Sequence, residues 1–280
     1  MRSRIKKVDP KTLAIWILSA ILAIETLILF SQHPRKTTII KEKKARVISK
    51  RELPKGQMAG RIAIIVDDCG YNLQPCEIIS KIKRPVTFSV LPALKYSTAV
   101  AQCAHYSEKE VMLHLPMEPH QNSDKYPDGY IIKTTMSNKK IERLIKDALA
   151  TVPFAAGVNN HMGSKATEDT KTMKNVFSVL KADNLFFIDS MVTNRSVAQD
   201  LASAMGIPFA ERNIFLDNNN DRSYIEGQFL QLAEIARAKG YAVGIGHARA
   251  LTLQIIKEQT ERLEQEGFRF VTVAELIKSR

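Results

Sequence analysis

The chain has 280 residues, 45% of them apolar, which allows one large domain or two small ones with a sizeable core. Its net charge of +12 suggests nucleic acid at first, but residues 1–60 carry 14 Lys/Arg against 4 Asp/Glu, whereas residues 61–280 carry 27 against 25. A nucleic-acid-binding body shows a basic face of its own; this body is nearly neutral, so no nucleic-acid partner is expected.

The positive charge starts at once. Arg2, Arg4, Lys6, Lys7 and Lys11 form a basic tail over residues 1–12, ahead of the apolar run Leu13–Phe30. At about 18 residues that run is near the minimum for one transmembrane helix. Flanking cations stay cytoplasmic, which places the rest of the chain in the periplasm or otherwise outside the cytoplasm, anchored to the inner membrane. Glu25 is the one flaw in the run, at a cost of about 2–3 kcal/mol near a helix centre. A cleaved signal peptide is the competing reading, but Leu29, Ser31 and Gln32 make a poor small-x-small cleavage site. Residues 31–60 are rich in Lys and Arg, contain Pro34, Pro54, Gly56 and Gly60, and read as a solvated linker.

From residue 61 to 280 short apolar runs alternate with stretches at helical spacing. The runs are 62–66, 86–91, 111–113, 155–158, 185–188, 214–216, 242–245 and a weaker 268–271. Helices are predicted at about 73–82, 97–107, 138–150, 169–182, 196–205, 222–239, 252–266 and 273–279. Ile141, Leu144, Ile145 and Leu149, for example, share one helical face. Strand–helix alternation implies a parallel sheet with helices outside it, and seven or eight units in this length suit a (β/α) barrel, whether closed or incomplete. A doubly wound open sheet would want a Gly-rich phosphate loop after its first strand, and the chain has none. The non-periodic stretch 116–137 is long for a plain connection and reads as a functional loop over the site.

Most of the apolar runs stop at an ionisable or polar residue. Asp67-Asp68, His114, Asn159-Asn160-His161, Asp189, Asp217 and Gly246-His247 each follow one. In a parallel barrel all C-terminal strand ends meet at one mouth, where active sites are built. An Asp after a strand is often a helix cap or turn residue, a plain reading that competes with a place at the mouth for Asp217 and is the lesser of the two for Asp189. Two adjacent carboxylates after a buried strand are harder to explain without a cation. Gly163 and Gly246 are read as allowing close ligand approach. His33, His105 and His120 lie off the strand ends. Cys69, Cys76 and Cys103 form no C-x-x-C pair and read as small buried hydrophobes. Oxygen and imidazole donors without thiolate suit a divalent metal, with zinc the working assignment.

Several stretches carry a resemblance. They are Ile-Val-Asp-Asp-Cys-Gly-Tyr-Asn (65–72), Pro-Val-Thr-Phe-Ser-Val-Leu-Pro (85–92), Met-Leu-His-Leu-Pro-Met-Glu-Pro (112–119), Gly-Val-Asn-Asn-His-Met-Gly-Ser (157–164), Phe-Leu-Asp-Asn (215–218) and Gly-Ile-Gly-His-Ala-Arg (244–249). In order through residues 61–275, the chain closely resembles the divergent polysaccharide deacetylase family. That family is related to polysaccharide deacetylases of the NodB type, whose fold is a distorted seven-stranded (β/α) barrel.

The resemblance implies Asp67 as catalytic base, Asp68 and His114 as metal ligands and His247 as general acid, with Arg212 orienting Asp67. The related enzymes carry His-x-x-x-His on the third strand; here it reads His114-Leu-Pro-Met-Glu118, so the third ligand stays open between Glu118 and His161. The implied activity is removal of acetyl groups from an extracytoplasmic carbohydrate polymer. The alternatives are a carbohydrate-binding envelope protein that has lost turnover and a hydrolase of another acyl group.

Overall fold

A computed structural model describes residues 58–121 and 130–279. The basic tail, the expected anchor Leu13–Phe30 and the linker as far as residue 57 lie outside the described residues, as do residues 122–129 of the expected loop. Among the described residues no helix is long and apolar enough to cross a membrane.

The elements follow the predicted alternation: β1 (Gly60–Cys69), α1 (Gln74–Ile79), β2 (Thr87–Val90), α2 (Ser97–Tyr106), β3 (Glu110–Met117), α3 (Asn138–Thr151), β4 (Ala155–Met162), α4 (Thr170–Ala182), β5 (Phe186–Asp189), α5 (Ala198–Met205), β6 (Phe209–Glu211), β7 (Ile214–Phe215), α6 (Arg222–Lys239), β8 (Tyr241–His247), α7 (Ala250–Gln265), β9 (Phe268–Phe270) and α8 (Val273–Lys278). Local chemistry sets several helix starts. Ser137, Asp169, Asp221 and Thr272 each accept a hydrogen bond from the backbone N–H three residues on. Gly206 and Gly240 end α5 and α6 in the left-handed conformation.

The strands pair in the order β6-β5-β4-β3-β2-β1-β8-β7, every pair parallel. The expected seven-stranded barrel is therefore a curled half-barrel of nine short strands, with β6 and β7 at its ends. β9 adds to the first residues of β1, Gly60–Ile62, while β2 pairs with Ile65, Val66 and Cys69 further along. Gly60 thus belongs to the sheet and not to the linker. A Cβ there would lie 2.5 Å from the carbonyl oxygen of Ala236 on α6, a contact only glycine permits.

Side chains alternate across the sheet. Ile62, Ile64 and Val66 of β1, Leu113 and Leu115 of β3 and Phe187 of β5 face the helices in the main core. The intervening residues Ala63, Ile65, Met112, Ile188, Val243 and Ile245 fill the concave side. There Val273 and Leu276 of α8 close the bottom. Half-buried Glu110 holds α8 in place, accepting from the N–H groups of Val273 at 2.8 Å and Ala274 at 3.0 Å. Phe88, Phe177, Phe187 and Phe229 are wholly buried, and each stabilises the fold by about 1.5–3 kcal/mol relative to exposure.

Two glycines test this packing with opposite signs. A Cβ on Gly157 would lie 2.2 Å from the Phe186 ring, whereas one on Gly227 in α6 meets nothing within 4 Å. Gly157→Ala is expected to cost about 1–3 kcal/mol by overpacking, and Gly227→Ala to gain about 0.5–1 kcal/mol from helix propensity. Thermal unfolding of the two variants measures both; equal melting temperatures would contradict the packing described.

Candidate metal centre

The inward-facing positions of the strands are apolar at the bottom of the half-barrel and turn polar at the mouth. On β1 the sequence Ala63, Ile65, Asp67 climbs from core to carboxylate. On β3 Met112 is followed by His114, and on β8 Val243 and Ile245 by His247. The polar residues are thus the last turns of the strands themselves. The expectation that the strands stop before them does not hold for Asp67, Asp68, His114, His161 or His247.

Two adjacent residues of a regular strand point to opposite faces, yet Asp67 and Asp68 serve the same mouth. The pairing of β1 with β2 shifts register between Val66 and Cys69, and Asp68 has φ +58°. This bulge turns the second carboxylate back to the side of the first. His114 Nε2 lies 3.6 Å from Asp67 Oδ2 and 3.3 Å from Asp68 Oδ1. A left-handed non-glycine residue costs of order 1 kcal/mol or more, and aspartate is among the residues that tolerate it.

Three donor atoms converge. Asp68 Oδ1, His114 Nε2 and His161 Nδ1 lie within 4.8 Å of one another, with His161 Nδ1 3.1 Å from Asp68 Oδ1 and 3.2 Å from His114 Nε2. Asp68 Oδ1 is buried and receives no hydrogen bond. An orphaned carboxylate oxygen beside two imidazole nitrogens is a donor set that a divalent cation satisfies: zinc takes nitrogen at about 2.0–2.1 Å and oxygen at about 2.0–2.2 Å in three-ligand sites. The set fits a metal by its chemistry and by its unmet hydrogen-bonding capacity.

The electrostatics follow the crowding. Burial pushes the Asp67 carboxyl up, and the neighbouring charge of Asp68 adds to this against the pull of His114 and His247. Burial also acts on Asp68, but His114 and His161 outweigh it and hold that carboxyl well below the usual range. Burial lowers His114, yet the two carboxylates raise it overall. His161, by contrast, is held down by burial.

On the other side of β1 stands His247, the register partner of Asp67 on adjacent β8. Its Nδ1 lies 2.7 Å from Oδ1 of wholly buried Asp217, and Nε2 faces Asp68 Oδ2 at 4.0 Å. Asp217 is fixed by Thr252 Oγ1 at 2.7 Å and by the His247 N–H at 3.1 Å. Burial lowers His247, but Asp217 more than compensates and raises it. A pocket of about 160 Å³ opens beside Asp68 and His247, lined further by Tyr71, Asn72, Pro75 and Arg249.

Other predicted residues sit elsewhere. Glu118 spends its carboxylate on the Thr134 N–H at 2.7 Å, the Thr134 hydroxyl at 2.8 Å and Lys165 Nζ at 2.6 Å, so it ties together the segments after β3 and β4. His161, and not Glu118, joins the cluster. Arg212 donates to the carbonyls of Ser190 at 2.7 Å and Met191 at 2.8 Å and stacks on Phe215; it reaches Asp67 only through its field. Asp189 is a local turn residue, accepting from the Met191 N–H and Ser196 hydroxyl. Gly163 and Gly246 give close approach to protein and not to ligand, since their Cβ positions fall 2.8 Å from Met117 and 2.9 Å from Thr252. The thiol of Cys69 is buried, donates to the Val66 carbonyl and has its pKa pushed up by burial. Two residues carry weight that the sequence reading did not assign. Asp217 orients His247, and buried Asn159 hydrogen bonds both Asp67 and His114.

Wild-type protein is expected to hold one divalent ion per chain. Asp68→Ala, His114→Ala and His161→Ala should each bring metal content well below one equivalent, and Glu118→Ala should leave it unchanged. Elemental analysis after dialysis decides; full loading of the first two variants would refute the ligand set.

The sequence profile of the divergent polysaccharide deacetylase family matches residues 64–277. The chain is 33% identical over 207 residues to the uncharacterized protein YibQ of Escherichia coli K12, an alignment that covers 74% of this chain and 64% of YibQ. It is 32% identical over 206 residues to an uncharacterized protein of Haemophilus influenzae, covering 74% and 73% of the two chains. The fold is similar to that of the uncharacterized protein ATU2773 from Agrobacterium tumefaciens C58, with a TM-score of 0.74 and 21% identity over 80% of this chain and 92% of that one. A profile that spans the sheet from β1 to α8 and contains every residue of the mouth decides the assignment: the chain belongs to the divergent polysaccharide deacetylase family.

Proposed function

We propose that the protein is a metal-dependent deacetylase that hydrolyses acetyl groups on an extracytoplasmic carbohydrate polymer. The observation that carries this reading is the arrangement of the mouth: a three-donor cation site flanked by one carboxylate and one carboxylate-anchored histidine. Hydrolysis of an amide or ester needs an activated water, a base for its proton and an acid for the leaving group.

A divalent ion, when bound by Asp68, His114 and His161, lowers the pKa of water and polarises the acyl carbonyl. Asp67 takes the proton of the attacking water. It lies beside the donor cluster, 3.6 Å from His114 Nε2, and its raised affinity for protons suits a base. His247 gives a proton to the leaving amine or alkoxide. Asp217 holds Nδ1, so Nε2 is the nitrogen turned to the reaction, and the Asp217 carboxylate raises the pKa of the ring, which favours its protonated form. The pocket lined by Tyr71, Asn72 and Arg249 adjoins both groups and receives the sugar.

Asp67→Asn and His247→Ala are expected to keep the fold and the metal and to lose about 10²–10⁴ in turnover of acetylated glycan oligomers. Acetate release by metal-loaded protein measures this. If wild type releases none from N- or O-acetylated sugars, the enzyme reading fails and a carbohydrate-binding protein on the same fold replaces it. If Asp67→Asn is as fast as wild type, the assignment of the base fails.

Location belongs to the same proposal. Leu13–Phe30 crosses the inner membrane once and leaves residues 61–280 in the periplasm, because the cations Arg2 to Lys11 precede the run. A reporter active only outside the cytoplasm, fused after Arg280, should be on. A cytoplasm-only reporter active at that position would overturn the topology.

A further inference from the structure

Asn159 occupies the inward face of β4 and is fully buried. Its carboxamide lies between the two halves of the mouth. Nδ2 is 3.1 Å and 3.2 Å from the two oxygens of Asp67 and 3.2 Å from Ser190 Oγ. On its other side, Oδ1 lies 2.9 Å from His114 Nδ1 and accepts from the Ser89 hydroxyl. The Ser190 hydroxyl donates its own proton to the Asn160 carbonyl at 2.9 Å, so toward Asn159 it can only accept. An amide has two protons to give and two lone pairs to fill. One proton is shared by the Asp67 carboxylate, the other goes to Ser190, and the lone pairs take Ser89 and His114. The reverse orientation would set a carbonyl oxygen against a carboxylate.

This orientation fixes the imidazole. With Oδ1 as acceptor, His114 Nδ1 must carry a proton, so Nε2, where it meets Asp68 Oδ1 and His161 Nδ1, is the nitrogen left to face a cation. We infer that Asn159 is the positioning residue of the site: through its carbonyl it holds His114 with a proton on Nδ1, so that Nε2 would face a bound cation, and through its NH₂ it fixes the Asp67 carboxylate beside the donor cluster. Partners of this kind behind metal-ligating histidines typically contribute about 10–100-fold in metal affinity. The inference rests on the cation-site reading above, and its tests separate the two.

The experiment uses the full chain, with Zn²⁺ as the probe. Asn159→Leu removes both functions, whereas Asn159→Asp keeps an acceptor for His114 and places a second carboxylate against Asp67. Asn159→Leu should weaken Zn²⁺ binding about 10–100-fold. Asn159→Asp should bind Zn²⁺ within a few-fold of wild type, yet lose about 10²-fold or more in kcat at saturating metal with KM unchanged. Long-range ¹H–¹⁵N correlation of the wild-type imidazoles should show His114 with its proton on Nδ1. An unprotonated Nδ1 on His114 in wild type, or Asn159→Leu with unaltered Zn²⁺ affinity, would overturn the inference. These two readouts need no turnover and no folded Asn159→Leu in the first case. Absence of Zn²⁺ binding by wild type would instead overturn the metal-centre reading, with the tautomer still deciding the role of Asn159.

Discussion

The rest of the mouth is arranged around one constraint, two adjacent carboxylates held on the same side of a buried strand. Asp67 is almost wholly enclosed and Asp68 mostly so. Removing two like charges from water costs several kcal/mol each unless cationic or hydrogen-bonding groups answer them. The answering groups come from four strands at once. His114 on β3 and His161 on β4 approach from one side, His247 on β8 from the other, and Arg212 contributes from the end of β6. A parallel sheet makes this possible, because every strand presents its C-terminal end to the same opening. The bulge at Asp68 supplies what a regular strand cannot, a second carboxylate on the inward face.

That geometry divides the labour spatially. On the β3–β4 side the groups have lone pairs to offer and the one histidine raised in pKa, His114, is caught between carboxylates. On the β8–β7 side Asp217 backs a histidine that is raised by a single anchored partner. The first set is suited to a cation and the second to carrying a proton. Rigidity underwrites the separation. Gly244 and Gly246 let β8 lie directly against Leu232 of α6 and Thr252 of α7, where a Cβ would fall within 2.9 Å of those side chains. Thr252, held by that contact, is also the residue that donates to Asp217. The position of the proton carrier is thus tied to helix packing on the far face of the strand.

Much of this was legible in the amino-acid pattern, and the failures have physical causes. Apart from α1, whose predicted end at 82 overshoots Ile79 by three residues, helix ends came within two residues because caps such as Asp169 and Asp221 and the glycines at 206 and 240 mark them chemically. β6 was missed because its apolar pair Phe209-Ala210 follows Pro208 and stops at Glu211, which leaves no apolar run of the kind that marked the comparably short β7 and β9. β1, β3 and β4 were cut short because an apolar criterion ends a strand at its first inward-facing polar residue, and at a barrel mouth that residue is still in the ladder. The bulge left no mark in the sequence. Asn159 was seen as part of a polar stretch but not as a hub, since its importance comes from Ser89 and Asp67, 70 and 92 residues away. Asp217 was weighed as a capping residue; its side chain points inward to His247 instead.

Glu118 shows why spacing alone misleads at such a site. Four residues after His114 is where the His-x-x-x-His spacing of the related enzymes puts a second imidazole, and a motif reading keeps Glu118 beside His161 as a candidate for the third ligand. The chain, however, leaves β3 at Met117, and Glu118 turns to Thr134 and Lys165. The cation site asks only for a nitrogen or oxygen about 3 Å from His114 Nε2, whichever strand supplies it. β4 runs beside β3 with Asn159 opposite His114 and His161 opposite Pro116. One inward step above Asn159, His161 therefore reaches the same point in space from the neighbouring strand. A parallel sheet in fixed register lets an adjacent strand bring a donor atom to the same point in space, and the imidazole absent at position 118 is matched there by His161.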